Sequence, residues 1–154
     1  MKTVSVPFRL LFAAVCMIAG FSLVARAAEP EDIIKYRENV MKSQGAHLAA
    51  AAAIIQGKVD FKSQLREHTR ALAASTKDIP VLFPKGSDFG ETKALDAVWQ
   101  KTAEFKKDAE HAHKMAVALD NAVAKGDTKS YPMHLKAMLD SCKECHKDFR
   151  KEEK

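Results

Sequence analysis

Apolar residues recur three and four positions apart through almost the whole chain after residue 29, and this periodicity restricts the fold more than any other feature. The pattern is clearest between Glu91 and Lys125, where it marks one face of a long helix. Only 6 Gly and 5 Pro occur in 154 residues. Turns are therefore too sparse for a β-sandwich or a β-barrel. The sequence predicts an all-α protein.

Four amphipathic helices are predicted. Pro30 suits the first turn of helix one, and Gly57 is a suitable stop. Asp60 is the predicted cap of helix two, and either Asp127 or Ser130 caps helix four. The first three predicted helices cover about 30–56, 60–78 and 91–125, with one long loop at 80–90. The fourth begins between Asp127 and Pro132 and ends near Arg150. Two short connections between helices of comparable length predict an antiparallel up-down-up-down four-helix bundle.

The N-terminal residues have the pattern of an export signal. Lys2 and Arg9 form a basic start, an apolar run follows from Leu10 to Val24, and 25–27 read Ala-Arg-Ala, as a signal peptidase requires. The run is shorter than the roughly 18–20 apolar residues that span a membrane, which disfavours an uncleaved anchor. We expect a signal peptide at 1–27, a mature domain at 28–154 and a periplasmic location.

Cleavage changes the charge of the protein. The full chain carries +5, but removal of Lys2, Arg9 and Arg26 leaves 22 basic against 20 acidic residues. The basic pI of the full chain is therefore no evidence for a nucleic-acid partner. We expect neither a nucleic-acid partner nor stable membrane insertion.

Cys142-Lys143-Glu144-Cys145-His146 reads C-x-x-C-H, which is the attachment motif of a c-type haem. Positions i, i+3 and i+4 share a helix face, so both thiols and the imidazole can reach one ring. A redox dithiol normally accompanies a βαβ pattern, and a zinc site needs about four ligands. Neither context is present, and a structural disulfide is the remaining alternative to haem attachment.

With this motif, the chain resembles the class II c-type cytochromes, that is, the cytochrome c′ family, over nearly the whole mature sequence. The C-terminal position of the haem motif is distinctive. The resemblance implies one haem c per chain, with Cys142 and Cys145 as thioethers and His146 as proximal iron ligand. It rests on Lys35-Tyr36-Arg37, Leu82-Phe83-Pro84 with Gly86, Ala94-Leu95 with Trp99, and Cys142 to Arg150.

The resemblance also bears on the other face of the haem. In cytochrome c′ an apolar side chain shields an open iron position, four residues after an arginine in helix one. Here Met41 stands four residues after Arg37, which implies the low-spin subgroup with Met41 as distal ligand and Arg37 near a propionate. Periodicity alone favours packing for Met41. The other candidates are expected in the core or at the surface: Met115, Met133, Met138, His47, His68, His111 and His113.

Without a nucleophile–base pair or a phosphate loop, the chain is not expected to be an enzyme. The leading hypothesis is an electron carrier with His146 and Met41 as axial ligands and with transient redox partners. The first alternative is a five-coordinate cytochrome c′ that binds nitric oxide or carbon monoxide. The second is a haem-free bundle whose two cysteines form a disulfide or a metal pair. The sequence leaves homodimerisation open.

Overall fold

A computed structural model describes residues 29–152, and these residues form helices and loops without a named strand. The predicted signal peptide lies outside the described residues. Five α-helices are present: α1 Pro30–Ile55, α2 Leu65–Thr76, α3 Ala97–Gln100, α4 Thr102–Lys125 and α5 Tyr131–Phe149. Two 3-10 turns, Lys62–Gln64 and Ile79–Leu82, precede and follow α2.

The four long helices alternate in direction, which their side-chain contacts demonstrate. Between α2 and α4, Thr69 Oγ1 donates to Asp120 Oδ1 over 2.8 Å, while Thr76 Oγ1 and His113 Nδ1 lie 3.2 Å apart further along. From the first contact to the second, the residue number increases along α2 and decreases along α4, so these two helices are antiparallel. The pairs Phe105–Phe149 and Val123–Tyr131 show the same between α4 and α5. The predicted all-α up-down-up-down bundle is confirmed.

The predicted third helix is divided and begins later than Glu91. The backbone at Lys101, with φ −116° and ψ 50°, separates the short α3 from α4. Before α3, the extended segment at Ala94 forms an antiparallel bridge with Arg150 just after α5. Leu95 N donates to Phe149 O over 3.0 Å. These bonds to the C-terminal end replace the helical bonds that the apolar periodicity predicted.

The helix caps also differ in detail from the predictions. A 3-10 turn separates Asp60 from α2, so this carboxylate does not cap the helix. Ser130 occupies the cap position of α5, yet its hydroxyl donates to Asp127 O over 3.0 Å rather than accepting from the helix. Gly126 ends α4 as predicted, at φ 68°, a left-handed conformation that glycine adopts without a Cβ clash.

Buried side chains form three groups along the bundle. The cavity-end cluster lies beside the long loop, the central cluster joins all four long helices, and the far-end cluster lies near the α1–α2 turn. Their members are Ile79, Val98, Phe105, Ala109 and Phe149; Leu48, Leu72, Ala116, Leu119, Leu135 and Met138; and Ala51, Ile54 and Leu65. Within residues 29–152 there is no helix of the length and apolar character needed to span a bilayer.

Candidate functional site

A cavity of about 440 Å³ opens between α1, α2, α4 and α5 at the cavity end of the bundle. Its walls are mainly apolar and come from both the central and the cavity-end clusters. This volume lies in the range of cofactor pockets, which is roughly 300–1,000 Å³. The protein therefore carries a site large enough for a bulky apolar group.

The last turns of α5 supply one wall of this cavity. Cys142, Cys145 and His146 all line it, and each side chain is partly buried. Cys142 packs against the central cluster and Cys145 against the cavity-end cluster, so the two thiols flank the same space. The structure thus brings together all three residues of the C-x-x-C-H motif, as its helical spacing predicts.

Both thiols are disfavoured as thiolates in the protein chain. Burial raises the pKa of Cys142. Burial and the nearby carboxylate of Asp108 raise the pKa of Cys145 to about 12, with further contributions from Cys142 and Asp148. Because the thiolate is the form that exchanges disulfides, this environment disfavours the redox-dithiol alternative. The described residues also hold no group of three or more His, Cys, Asp or Glu side chains suited to a zinc ion.

Met41 and Arg37 of α1 line the same cavity, one helical turn apart. Arg37 is only 2% exposed, and its two bonded partners are neutral hydroxyls. Its Nη1 donates to Ser87 Oγ and its Nη2 to Thr92 Oγ1, each over 2.8 Å. Burial lowers the pKa of Arg37, while Glu38 and Asp88 raise it. The guanidinium is therefore a buried cation whose bonded partners leave its charge unneutralised.

Aromatic rings hold Arg37 in place. Its Cζ lies 4.8 Å from the ring centre of Phe83 and 5.4 Å from that of Trp99. Trp99 Nε1 donates to Pro84 O over 3.1 Å, which ties the long loop to α3. Cation–π contacts of this kind are strongest where water is excluded. The loop therefore fixes the guanidinium at the edge of the cavity.

Of the other candidate residues, Met138 of α5 also lines the cavity, as a buried member of the central cluster. Met133 is 62% exposed, and His47 contacts His68 rather than the cavity. Among the described residues lining the cavity, His146 is the one histidine. Ser87 and Thr92 were not among the predicted site residues. Their hydroxyls accept hydrogen bonds from Arg37, which lies 50 and 55 positions away in the chain. No local pattern could have identified them.

The residues present fit a covalently attached haem. Such a group needs two thiols for its vinyl groups, an axial nitrogen, an apolar slot and a cation near its propionates. Cys142, Cys145 and His146 supply the first two requirements, and the cavity supplies the slot. Arg37 supplies a buried positive charge that lacks a charged bonded partner.

Comparisons with known proteins agree with this chemistry. Residues 32–150 match the family model for cytochrome c′. The chain is 36% identical over 124 residues to cytochrome c′ of Pararhodospirillum photometricum, which covers 80% of this chain and 99% of that protein. Cytochrome c prime from Shewanella frigidimarina shares the fold, with a TM-score of 0.76 at 28% identity, over 82% of this chain and 100% of that one.

A nitric oxide complex of a variant of cytochrome c prime from Alcaligenes xylosoxidans also shares the fold. Its TM-score is 0.75 at 24% identity, and the alignment covers 83% of this chain and 100% of that one. This likeness shows a common fold.

The comparisons overturn one prediction. They match cytochrome c′ and give no support to the low-spin subgroup, so the hypothesis of an electron carrier with His146 and Met41 as axial ligands is wrong. The surroundings of Met41 agree with this correction, because its partly buried side chain packs against the cavity-end cluster as an ordinary apolar residue does. The chain belongs to the cytochrome c′ family, whose members carry a covalently attached haem c.

Proposed function

We propose that this chain is a five-coordinate cytochrome c′ that binds nitric oxide or carbon monoxide. The observation that carries the proposal is the apolar cavity beside His146, in a chain of the cytochrome c′ family. When bound, the haem supplies an iron with one open axial position that accepts a diatomic gas. The rest of the function consists of what the protein residues do around that position.

Cys142 and Cys145 hold the haem through thioether bonds, and His146 gives the iron its proximal nitrogen. The support for these roles is that all three side chains line one cavity from the end of α5. The Leu95–Phe149 backbone bond and the bridge at Arg150 anchor this end of the helix. An anchored helix end limits movement of the imidazole.

Met41 shields the open position in this proposal. Its side chain lines the cavity from α1 and packs with the cavity-end cluster. A flexible thioether side chain can move aside for a small gas while it obstructs larger ligands and water. The apolar wall of the cavity then selects ligands by size, and Met41 is the side chain of that wall that moves.

Arg37 binds a haem propionate in this proposal. The guanidinium is buried and lines the cavity, and its hydrogen bonds within residues 29–152 go to the neutral hydroxyls of Ser87 and Thr92. A buried charge is costly unless an opposite charge is close. A propionate would supply that charge and would fix the rotation of the ring in the slot.

The predicted signal peptide at 1–27 supports a periplasmic location for this activity. Carbon monoxide binds ferrous haem, so the proposal includes a redox protein that reduces the iron through a small, transient interface. Cytochrome c′ structures include dimers, one with ligand-controlled dissociation. Sedimentation of this protein with and without carbon monoxide tests whether it forms such a dimer.

Absorption spectra of three proteins test the ligation directly. Wild type, Met41→Leu and Met133→Leu are purified with haem, and ferric, ferrous and carbon monoxide spectra are recorded. Met133 is the matched control because it is an exposed methionine on α5. We expect high-spin bands in all three ferric proteins and carbon monoxide adducts in all three ferrous proteins.

A low-spin ferric spectrum in wild type that becomes high-spin only in Met41→Leu contradicts the proposal. A second variant tests the shield. Met41→Ala removes the side chain that must move, so carbon monoxide affinity should rise by about tenfold or more, which corresponds to roughly 1.4 kcal/mol. An unchanged affinity would show that Met41 does not cover the open position.

A further inference from the structure

Two histidines face each other between α1 and α2, away from the cavity. His47 Nδ1 and His68 Nδ1 lie 3.1 Å apart, and the ring centres are 5.4 Å apart with planes tilted by 49°. Both side chains are partly buried. In the metal-free protein, one Nδ1–H can donate to the lone pair of the other ring.

We propose that His47 and His68 form a binding site for a divalent transition-metal ion, with Cu²⁺ as the preferred ion. Neutral imidazole is the commonest protein ligand for such ions. Each ring in its Nε2–H tautomer presents the Nδ1 lone pair toward the other ring, so both nitrogens can bind one ion. A change of tautomer and a rotation of the two rings convert the hydrogen-bonded pair into a ligand pair.

The separation of the nitrogens allows both to bind one ion. Two nitrogens 3.1 Å apart, each about 2.0–2.1 Å from one ion, subtend an angle of about 95–102° at that ion. This angle lies between the roughly 90° of square-planar or tetragonal sites and the roughly 109° of tetrahedral zinc sites. The preference for Cu²⁺ follows from the general affinity order of divalent ions, which places Cu²⁺ first.

The cations nearest to the pair in sequence are on α2. Arg66 pairs with Asp120 of α4, and Arg70 is exposed, so neither charge is left buried beside the histidines. Residues 29–152 contain no cluster of three or more His, Cys, Asp or Glu side chains that could hold a metal ion. Water molecules therefore complete the coordination shell.

The helices that carry this pair are already fixed relative to each other. Gln44 Nε2 donates to Ser75 O over 2.9 Å, and Leu48 and Leu72 pack together in the central cluster. Because these contacts hold the two helices in place, the backbone needs little reorganisation when an ion binds. A bound ion would in turn link α1 and α2 and stabilise the folded protein.

Calorimetric titration of the ferric holoprotein with Cu²⁺, Ni²⁺ and Zn²⁺ tests the site. We expect one strongly bound Cu²⁺ per chain, weaker Ni²⁺ and still weaker Zn²⁺. His47→Gln and His68→Gln should each weaken Cu²⁺ binding by about tenfold or more, because one ligand remains. His111→Gln is the matched control, since His111 is exposed on α4, and its affinity should equal that of wild type.

A spectroscopic measurement keeps the test independent of folding. Electron paramagnetic resonance of the bound Cu²⁺ should show coupling to two equivalent nitrogens in wild type and to one in either glutamine variant. Circular dichroism checks that both variants remain helical. Wild-type affinity in either variant overturns the proposal, as does half an ion per chain, which would place the ion between two protein molecules.

Discussion

The two ends of the bundle are packed in different ways. At the far end, Ala51, Ile54 and Leu65 are each at least 92% buried, and Ile55, Val123 and Tyr131 pack against them. Small and aliphatic side chains allow helices to approach closely and fill their own space. At the cavity end, Phe105 makes edge-to-face contacts with Phe83 and Phe149, at centroid distances of 4.9 and 5.2 Å. Despite these large rings, a cavity of about 440 Å³ remains.

The cavity end also buries a charge. Arg37 lies among aromatic rings and is bonded to two loop hydroxyls. Both the unfilled space and the buried guanidinium are unfavourable in the protein chain alone. A haem with its propionates would remove both defects. The far end is therefore a complete protein core, whereas the cavity end needs its cofactor to fill the space and to pair the buried charge.

The largest expected effect comes from removing both attachment thiols. The double variant Cys142→Ser with Cys145→Ser should lose all covalent haem, because no other cysteine occurs in the described residues. Haem staining of the denatured protein on a gel measures this loss. Amide exchange should increase around the cavity and change little at Ile54 and Leu65.

Lys143→Ser is the matched control within the same motif. This side chain is exposed and does not line the cavity, so the variant should stain like wild type. A stained double variant would show that the haem is held by other residues. Equal loss of exchange protection at both ends would show that the far end also depends on the cofactor.

Two core truncations, one at each end of the bundle, measure the difference in packing between the two ends. Ile54→Ala at the far end should reduce the free energy of unfolding by about 2–5 kcal/mol, both in the holoprotein and in the double serine background. Phe105→Ala at the cavity end should cost about 3–5 kcal/mol in the holoprotein. Its cost should be smaller in the double serine background, where the ring already borders empty space.

Denaturant titrations of six proteins, namely the two parents and both truncations in each, measure these differences. Far-UV circular dichroism follows unfolding in all of them and does not depend on the haem. If Phe105→Ala costs as much without haem as with it, the cavity collapses in the haem-free protein, and the contrast between the two ends is lost.

The third prediction concerns the buried cation. Arg37→Met removes the charged donor to Ser87 Oγ and Thr92 Oγ1, although each hydroxyl keeps one other hydrogen bond. Loss of hydrogen bonds from a charged group costs about 1.5–3 kcal/mol each. The haem reduction potential should also fall, because a positive charge near the iron destabilises its ferric form. Arg37→Lys keeps the positive charge but cannot donate to both hydroxyls as the guanidinium does. It should therefore lower the free energy of unfolding while largely retaining the haem reduction potential. A potential unchanged in Arg37→Met would contradict the proposed propionate contact.

The fold and the motif could be predicted because their signals are local. Apolar spacing and a first-turn proline located α1 at Pro30–Ile55 within one residue of the prediction. The haem motif needs only its own i, i+3 and i+4 geometry on α5. In both cases the residues that determine the feature lie within a few positions of each other.

Non-local features could not be predicted in this way. The segment before α3 is held by backbone bonds to the end of α5, more than 50 residues away, and helical periodicity carries no sign of that pairing. Met41 presents a different difficulty. The sequence reads Met41 whether its thioether binds iron or shields an open site. The comparisons with known proteins decided against Met41 as an iron ligand.

The smallest expected effect is at an exposed ion pair on α5. Lys136 Nζ donates to Asp140 Oδ2 one turn away, and this bond is the main cause of the lowered pKa of Asp140 and the raised pKa of Lys136. A carboxyl group with a lowered folded-state pKa stabilises the protein above its unfolded pKa, about 3.9, and loses that contribution as the pH falls through the folded value. Both groups are exposed, so salt screens the pair.

Asp140→Asn should therefore lower the melting temperature only slightly at pH 7 and not at all at pH 2. The difference at pH 7 should also shrink in 1 M salt, where the screening length is about 3 Å. Lys106→Gln is the matched control, because it breaks a similar i, i+4 pair with Glu110 on α4. Both variants should leave the carbon monoxide spectrum unchanged. A large effect of Asp140→Asn on gas binding would mean that the outer face of α5 is coupled to the haem, and that the cavity end extends further than its buried residues indicate.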